Sequence, residues 1–281
     1  MSGWRRLARG IRHRVHAGLT GRATWRPRGE ASARRDAAVA WWRATPPPGS
    51  PSARVVVTCH DDGRWLPDLL LSLAGQTRED FAVTVVDDAS SDPETRDLIA
   101  TLEGGRRGEI RRLAENVGPA AARNAGIVGS EEPTIACVDA DDLVSPRYLE
   151  ATRAALDANP AAALAYFDYR KFGAVEDLVR VPAWNVDRLL ADNFVVVAAP
   201  FRRTAWEQAG GFDETLRMGF EDWDLWVRFA AAGWSAVRLR ETLFYYRQRE
   251  GSHSRHLADV RAEARREMRR RYESARPRPD S

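Results

Sequence analysis

From residue 54 to residue 139, short apolar runs alternate with amphipathic segments regularly enough to name each element. RVVVT (54–58) reads as a short buried strand. In residues 64–74, Trp65, Leu69, Leu70 and Leu73 fall on one helical face that stops near Gly75. A second strand is predicted over 81–86. Asp92 and Pro93 then supply an N-cap and a first-turn proline for a helix carrying Leu98, Ile99 and Leu102. Residues 109–113, 119–128 and 134–138 continue the series as strand, helix and strand. This βαβαβαβ order predicts an α/β protein with a parallel sheet covered by helices on both sides.

The second half is less regular. Strands are expected over 161–167, 194–201 and 237–246. Thr204 and Glu207 suggest a capping box for a short helix ending at Gly210 and Gly211. Glu221 and Asp222 open another helix that stops at Gly233, and a basic helix is expected from His256 onward. At the other end, Trp4, Leu7, Ala8, Ile11, Val15 and Leu19 recur at helical spacing, with arginines on the remaining faces. Three readings fit: a helix lying on an anionic membrane, a helix packed on the body, or a disordered arm. ATPPPGSPS (44–52) is a linker.

Charge sharpens this division. Residues 1–43 hold eleven arginines against Glu30 and Asp36, and residues 255–281 hold nine against five acids, while the whole chain is only +3. The body between is therefore acidic, which argues against nucleic acid as a partner. It suits a metal-using enzyme whose basic termini touch an anionic surface. No run approaches the roughly 18 apolar residues of a membrane span, and the N-terminus lacks an apolar signal core. Cys59 and Cys137 end apolar strands and read as buried reduced thiols. The expected location is cytoplasmic, peripheral to the inner face of the cell membrane. Five segments follow: a basic arm (1–43), the linker (44–52), a ligand-binding half (53–150), a second half of the same domain (151–255) and a basic tail (256–281).

The chemistry concentrates where the predicted fourth strand ends, in TIACVDADDLVSP (134–146). Asp139, Asp141 and Asp142 crowd three carboxylates into four positions, which suits Mg²⁺ or Mn²⁺ bridging to phosphates, or an acidic cap on the next helix. Asp87 and Asp88 fall at the end of the second strand. Parallel sheets bind ligands at those ends, and the coincidence favours a ligand site.

Four segments in order resemble glycosyltransferase family 2. They are VVVTCHDDGRWLPDLLLSLAGQT, VVDDASSDPET, ENVGPAAARNAGI with CVDADD, and GGFDETLRMGFEDWDLWVR trailed by YRQREGSHS. The resemblance covers residues 53–255. It implies a GT-A fold: a Rossmann-like, mostly parallel central sheet flanked by helices, with a smaller mixed acceptor-side region. It also implies an inverting transfer from a nucleoside-diphosphate sugar to a saccharide or lipid-linked acceptor, with Mn²⁺ or Mg²⁺ as cofactor.

By the same resemblance, Thr58, His60 and Asp61 line the nucleotide pocket, although the family often has Pro and Tyr-Asn there. Asp87 or Asp88 binds base or ribose, or else the pair caps a turn. Arg123 reaches diphosphate or base, or is a helix-surface arginine. Asp139, with Ala140 beside it in the DXD motif, faces the ribose and helps bind the metal, and Asp141 ligates the ion. His253 is an additional metal or phosphate contact, or is solvated. Asp222, preceded by Glu221, matches the catalytic base, or else both acids simply cap the helix they open, and the place of Asp222 at a helix start should hold its pKa down. Trp223 is the expected acceptor-stacking ring. YRQREGSHS stands where processive synthases carry QxxRW, so the resemblance implies a non-processive enzyme. Two other functions compete with this one. A sugar-nucleotidyltransferase would want a Gly-rich basic phosphate loop, whereas CHDDGRW is acidic. A non-catalytic saccharide- or membrane-binding module would not need both DADD and Glu221-Asp222.

Overall fold

The computed structural model describes residues 30–216, 219–249 and 261–276. Four parallel strands form its first half: β1 (Ala53–Cys59), β2 (Phe81–Asp87), β3 (Gly108–Arg112) and β4 (Thr134–Asp139). The helices α2 (Leu66–Ala74), α3 (Pro93–Leu102) and α4 (Pro119–Ile127) connect them, preceded by α1 (Ala31–Arg43). Asp92 caps α3 as expected, its Oδ2 accepting from the Thr95 amide at 2.8 Å. Beyond β4 come β5 (Leu143–Val144), α5 (Tyr148–Ala158), β6 (Ala162–Gly173), β7 (Asp177–Val179) and α6 (Val186–Ala191). The chain continues through β8 (Phe201–Arg202), α7 (Arg203–Ala209), α8 (Glu221–Ala231), β9 (Ser235–Gln248) and α9 (Arg261–Ala275).

Among the described residues nine strands join one sheet in the order β3-β2-β1-β4-β8-β6-β9-β5, with β7 beside β6. The β8 pairings with β4 and β6 are antiparallel, so the parallel half gives way to a mixed half where the sheet passes β4. That change leaves the carboxyl ends of β1, β2 and β4 facing the start of α8 across a cleft. The parallel half is held from both sides by close packing. Gly126 lets α4 lie directly on β1, because a Cβ there would sit 2.3 Å from Val56 Cγ1.

Three sequence expectations change. The apolar run 194–201 is mostly loop, and only its last residue enters a strand. Its apolar side chains are used at the floor of a cavity, where Val195 O accepts from Trp226 Nε1 at 3.2 Å. Thr204 is no cap, since α7 begins at Arg203 and its N-cap Arg202 makes no side-chain cap bond; the helix does end at Gly210 in the left-handed region. The segment before the linker also contributes to the core. Trp41 and Trp42 of α1 are buried, and Trp42 Nε1 donates to Leu102 O at 2.7 Å. The predicted helix over residues 4–19 lies outside the described residues. Both cysteines are free and buried, and burial pushes their thiols up to about 12.

Candidate active site

A cavity of about 580 Å³ opens at the carboxyl ends of β1, β2 and β4. One wall carries Thr58, Asp62, Asp88, Asp139 and Asp141, and the other carries Asn193, Phe220, Glu221 and Asp222. Strand register explains the first wall. Thr58 pairs with Asp139 across β1 and β4, and its Oγ1 donates to Asp139 Oδ1 at 2.7 Å. Asp88, just past β2, accepts from the amides of Val117 (2.8 Å) and Gly118 (3.0 Å). Its carbonyl lies 2.8 Å from His60 Nδ1. A carbonyl only accepts, so Nδ1 carries the proton and Nε2 accepts from Asn116 at 3.0 Å.

Arg123 is buried, not a helix-surface arginine. Its Nη2 donates to Asp139 Oδ1 at 2.9 Å and its Nη1 pairs with Glu221 Oε1, so one guanidinium ties the two walls together. These two carboxylates raise its pKa despite the opposing effect of burial.

Asp141 and Asp142 diverge in environment. Asp141 turns into the cavity, and burial pushes its carboxyl up to about 6, against the opposing pull of Arg249. Asp142 also borders the cavity but is only 1% exposed. It accepts the Arg247 amide at 2.8 Å, and burial raises it well above the carboxylate range. Asp142 is thus the brace between the DADD turn and the end of β9. Arg247 completes this brace: its guanidinium lies 3.9 Å from the Trp65 ring and 4.4 Å from Phe172, and Nε donates to the Asp141 carbonyl at 2.6 Å.

Asp222 lies at the start of α8. Its Oδ2 accepts from Asn193 Nδ2 at 3.0 Å and its Oδ1 from the Trp223 amide at 2.7 Å. The helix start was expected to hold this pKa down. Instead burial, reinforced by the Glu221 charge, pushes it up to about 7, because desolvation outweighs the helix terminus and Arg123. The residue before the helix, Phe220, has φ 69°, a costly value for a bulky side chain. Its ring meets Trp223 edge-on at 5.9 Å.

Four other expected site residues do not face the cavity. Asp61 accepts the amides of Ser91 and Asp92, both at 2.7 Å, which lowers its pKa and makes it a turn brace. Asp87 is buried and caps its own turn through Ser90 N at 3.0 Å. Ala140 packs in the core, its amide donating to Thr58 O at 2.9 Å. Trp223 is 1% exposed, with its indole donating to Leu189 O, so it is a core residue and cannot stack on a sugar. Among the described residues, Tyr169, Phe194, Phe220 and Tyr246 line the cavity, together with the almost fully buried Phe244. His253 lies outside the described residues. The sequence reading missed Asp62, Asn193, Arg247 and Arg249. Only the charged letters of HDD and YRQR hinted at three of them.

Asp139 and Asp141 offer the hard carboxylate oxygens that Mg²⁺ and Mn²⁺ prefer. Among the described residues no three His, Cys, Asp or Glu side chains converge as a complete metal site. The pair therefore fits a cation whose remaining ligands are phosphate oxygens and water.

The sequence has relatives and the fold has counterparts among known proteins. The sequence model of the family described as glycosyl transferase family 2 matches residues 54–203. The succinoglycan biosynthesis protein ExoO of Rhizobium meliloti (strain 1021) is 31% identical over 227 residues, covering 74% of this chain and 64% of that one. The chain spans about half to two thirds of the length of the succinoglycan biosynthesis relatives it matches. S. aureus TarS 1–349, in complex with UDP-GlcNAc, superposes with TM-score 0.62 at 21% identity, covering 72% of this chain and 60% of that one. The mannosyltransferase PcManGT of Pyrobaculum calidifontis, in complex with GDP-Man and Mn²⁺, gives 0.58 at 17% identity, covering 92% and 72%. The expected GT-A fold stands, and the chain belongs to glycosyl transferase family 2.

Proposed function

We propose that this chain is an inverting, non-processive glycosyltransferase. It moves a sugar from a nucleoside-diphosphate donor to a hydroxyl of a saccharide or lipid-linked acceptor in bacterial envelope polysaccharide synthesis. One observation carries the reading. A single cavity brings Asp88, Asp139 and Asp141 together with Asp222, whose carboxyl is lifted to about 7. Residues that suit a nucleotide and its diphosphate therefore face a carboxylate poised to exchange a proton near neutral pH.

Asp88 and Asp139 accept from hydroxyl or ring N–H groups of the nucleoside, and Asp139 and Asp141 would hold a divalent cation at the diphosphate. When bound, that cation supplies Lewis-acid stabilisation of the leaving diphosphate. Asp222 accepts the proton of the acceptor hydroxyl as its oxygen bonds to the anomeric carbon and the bond to the diphosphate breaks. One displacement of this kind inverts the anomeric centre. Asn193 orients the Asp222 carboxylate. Glu221, fixed by Arg123, is a positioning residue and not a second base. Support for the donor class comes from TarS with UDP-GlcNAc and PcManGT with GDP-Man and Mn²⁺. Support for a polysaccharide role comes from ExoO.

The basic termini support a peripheral contact with anionic lipid at the inner membrane face, where a lipid-linked acceptor would be met. On α9, Arg265, Arg266, Arg269 and Arg270 are exposed. Among the described residues no helix is long and apolar enough to cross a membrane. Deleting residues 1–29, which spares α1, should reduce sedimentation with phosphatidylglycerol vesicles; unchanged sedimentation rejects a lipid role for that segment.

The decisive experiment is a thermal-shift series with UDP, GDP and their sugars in the presence of Mn²⁺, followed by NMR assignment of the product anomer. A raised melting point with one donor and inverted product supports the proposal. A series in which every nucleoside diphosphate leaves the melting point unchanged overturns it.

A further inference from the structure

Arg249 stands between two carboxylates that the sheet topology brings together from separate loops. Its Nη1 lies 2.6 Å from Asp62 Oδ1, after β1, and its Nη2 lies 3.0 Å from Asp141 Oδ2, after β4. Nη2 also reaches Asp62 Oδ2 at 3.3 Å, so the guanidinium forks onto Asp62 and reaches across to Asp141. The Asp62 and Asp141 side chains are 17% and 11% exposed, whereas that of Arg249 is 37% exposed. The anions are thus set into the wall, and the cation lies over them from the solvent side.

The contrast with Arg247, two residues earlier on β9, shows that this arrangement is not simply how the strand end packs. Arg247 is fixed between two aromatic rings and bonded to the Asp141 backbone. Arg249 is held through side-chain ion pairs, its guanidinium more open to water than the carboxylates it covers. One arginine anchors the DADD turn, and the other can leave it.

We propose that Arg249, bridging Asp62 and Asp141, is a resident counter-ion that occupies the cation-ligating carboxylate of Asp141 and yields it only to a metal that arrives with a nucleoside diphosphate. The inference rests on the assignment of Asp139 and Asp141 as cation ligands. Its charge logic is simple. Asp139 shares Arg123 with Glu221, and Asp141 shares Arg249 with Asp62, so a free dication must displace a guanidinium from Asp141 before it can bind there. A metal–diphosphate complex brings its own negative charge and gives the displaced guanidinium a new anionic partner. The consequence is a preferred order: the protein without donor leaves free divalent ions in solution, and metal and nucleotide enter together.

The test measures Mn²⁺ binding to the full chain by electron paramagnetic resonance, first with the metal alone and then with UDP or GDP. Wild type should bind Mn²⁺ alone weakly. Arg249→Gln should bind it about tenfold more tightly or better, Arg249→Lys should fall back toward wild type, and R249Q/D141N should lose the gain. Arg249→Met serves the same measurement if the glutamine variant misfolds. Suppose neither neutral variant gains affinity, yet wild type still binds Mn²⁺ with UDP or GDP in a way that Asp141→Asn abolishes. Then the counter-ion role is overturned while the cation site survives. If Asp141→Asn changes neither measurement, the cation assignment itself fails and the proposal falls with it.

Discussion

Asp139, at the end of β4, and Glu221, at the start of α8, share the guanidinium of Arg123. The end of a parallel strand and the beginning of a helix from the mixed half of the sheet are thereby held at one separation. Arg123 Nε makes no hydrogen bond among the described residues, so the guanidinium is committed to these two carboxylates and to the Phe212 ring 5.9 Å away. A buried charge used in this way fixes geometry more than it adds stability.

Arg123→Met should therefore destabilise the protein by about 3 kcal/mol or more, because it leaves two carboxylates uncompensated. Urea unfolding checks this, and a cost under about 1 kcal/mol would mean that the bridge is not formed in solution. A second substitution, Glu221→Gln, made in the Arg123→Met background, should recover part of the loss.

Asp222→Asn should lower turnover by about 10² or more while nucleotide binding stays nearly intact. The base acts only when ionised, so wild-type turnover should rise with pH through about 7. Stability runs the other way. The folded pKa lies above the ordinary value of 3.8, so ionising Asp222 opposes folding. As pH rises from about 4 to about 7, wild type should lose stability relative to Asp222→Asn, and the gap should stay constant above that. Melting curves across this range decide it; a gap that closes with rising pH contradicts the assignment.

Gly126→Ala should cost about 1–3 kcal/mol, since the new methyl meets Val56 Cγ1 at 2.3 Å and Val86 Cγ2 at 2.9 Å. A melting point lowered by several degrees is the expected result. Because α4 carries Arg123, the same variant should also weaken nucleotide binding. Intact affinity in a destabilised protein would show that α4 can shift without moving its arginine.

Asp141→Ala should abolish the metal-dependent part of nucleotide binding, measured by titrating UDP or GDP with and without Mn²⁺ in a calorimeter. Equal affinities for wild type and variant under both conditions would remove Asp141 from the cation site.

The parallel half was legible because its signals are local. An apolar run, a capping Asp92 and a helix-stopping Gly75 each act within a few residues, and order alone then places Asp88, Asp139 and Asp141 at one sheet edge. The loop over 194–201 failed for the opposite reason: its apolar side chains serve a cavity floor formed by distant elements, and composition cannot tell that from a buried strand. Trp223 failed because its indole satisfies Leu189, a contact made only when α6 and α8 meet. Arg247 and Arg249 were hidden in the same way, since their partners come from three separate loops and strands. Nor did the sequence give any sign that burial would outweigh the helix start at Asp222.

Phe220 enters α8 at φ 69°, where an L-residue with a large side chain is disfavoured by roughly 1–2 kcal/mol. Glycine would adopt that angle freely, but it would surrender the ring that lines the cavity beside Asp222. Position 220 is therefore a place where selection for a relaxed chain and selection for a defined pocket wall pull in opposite directions. The residue present shows which has prevailed.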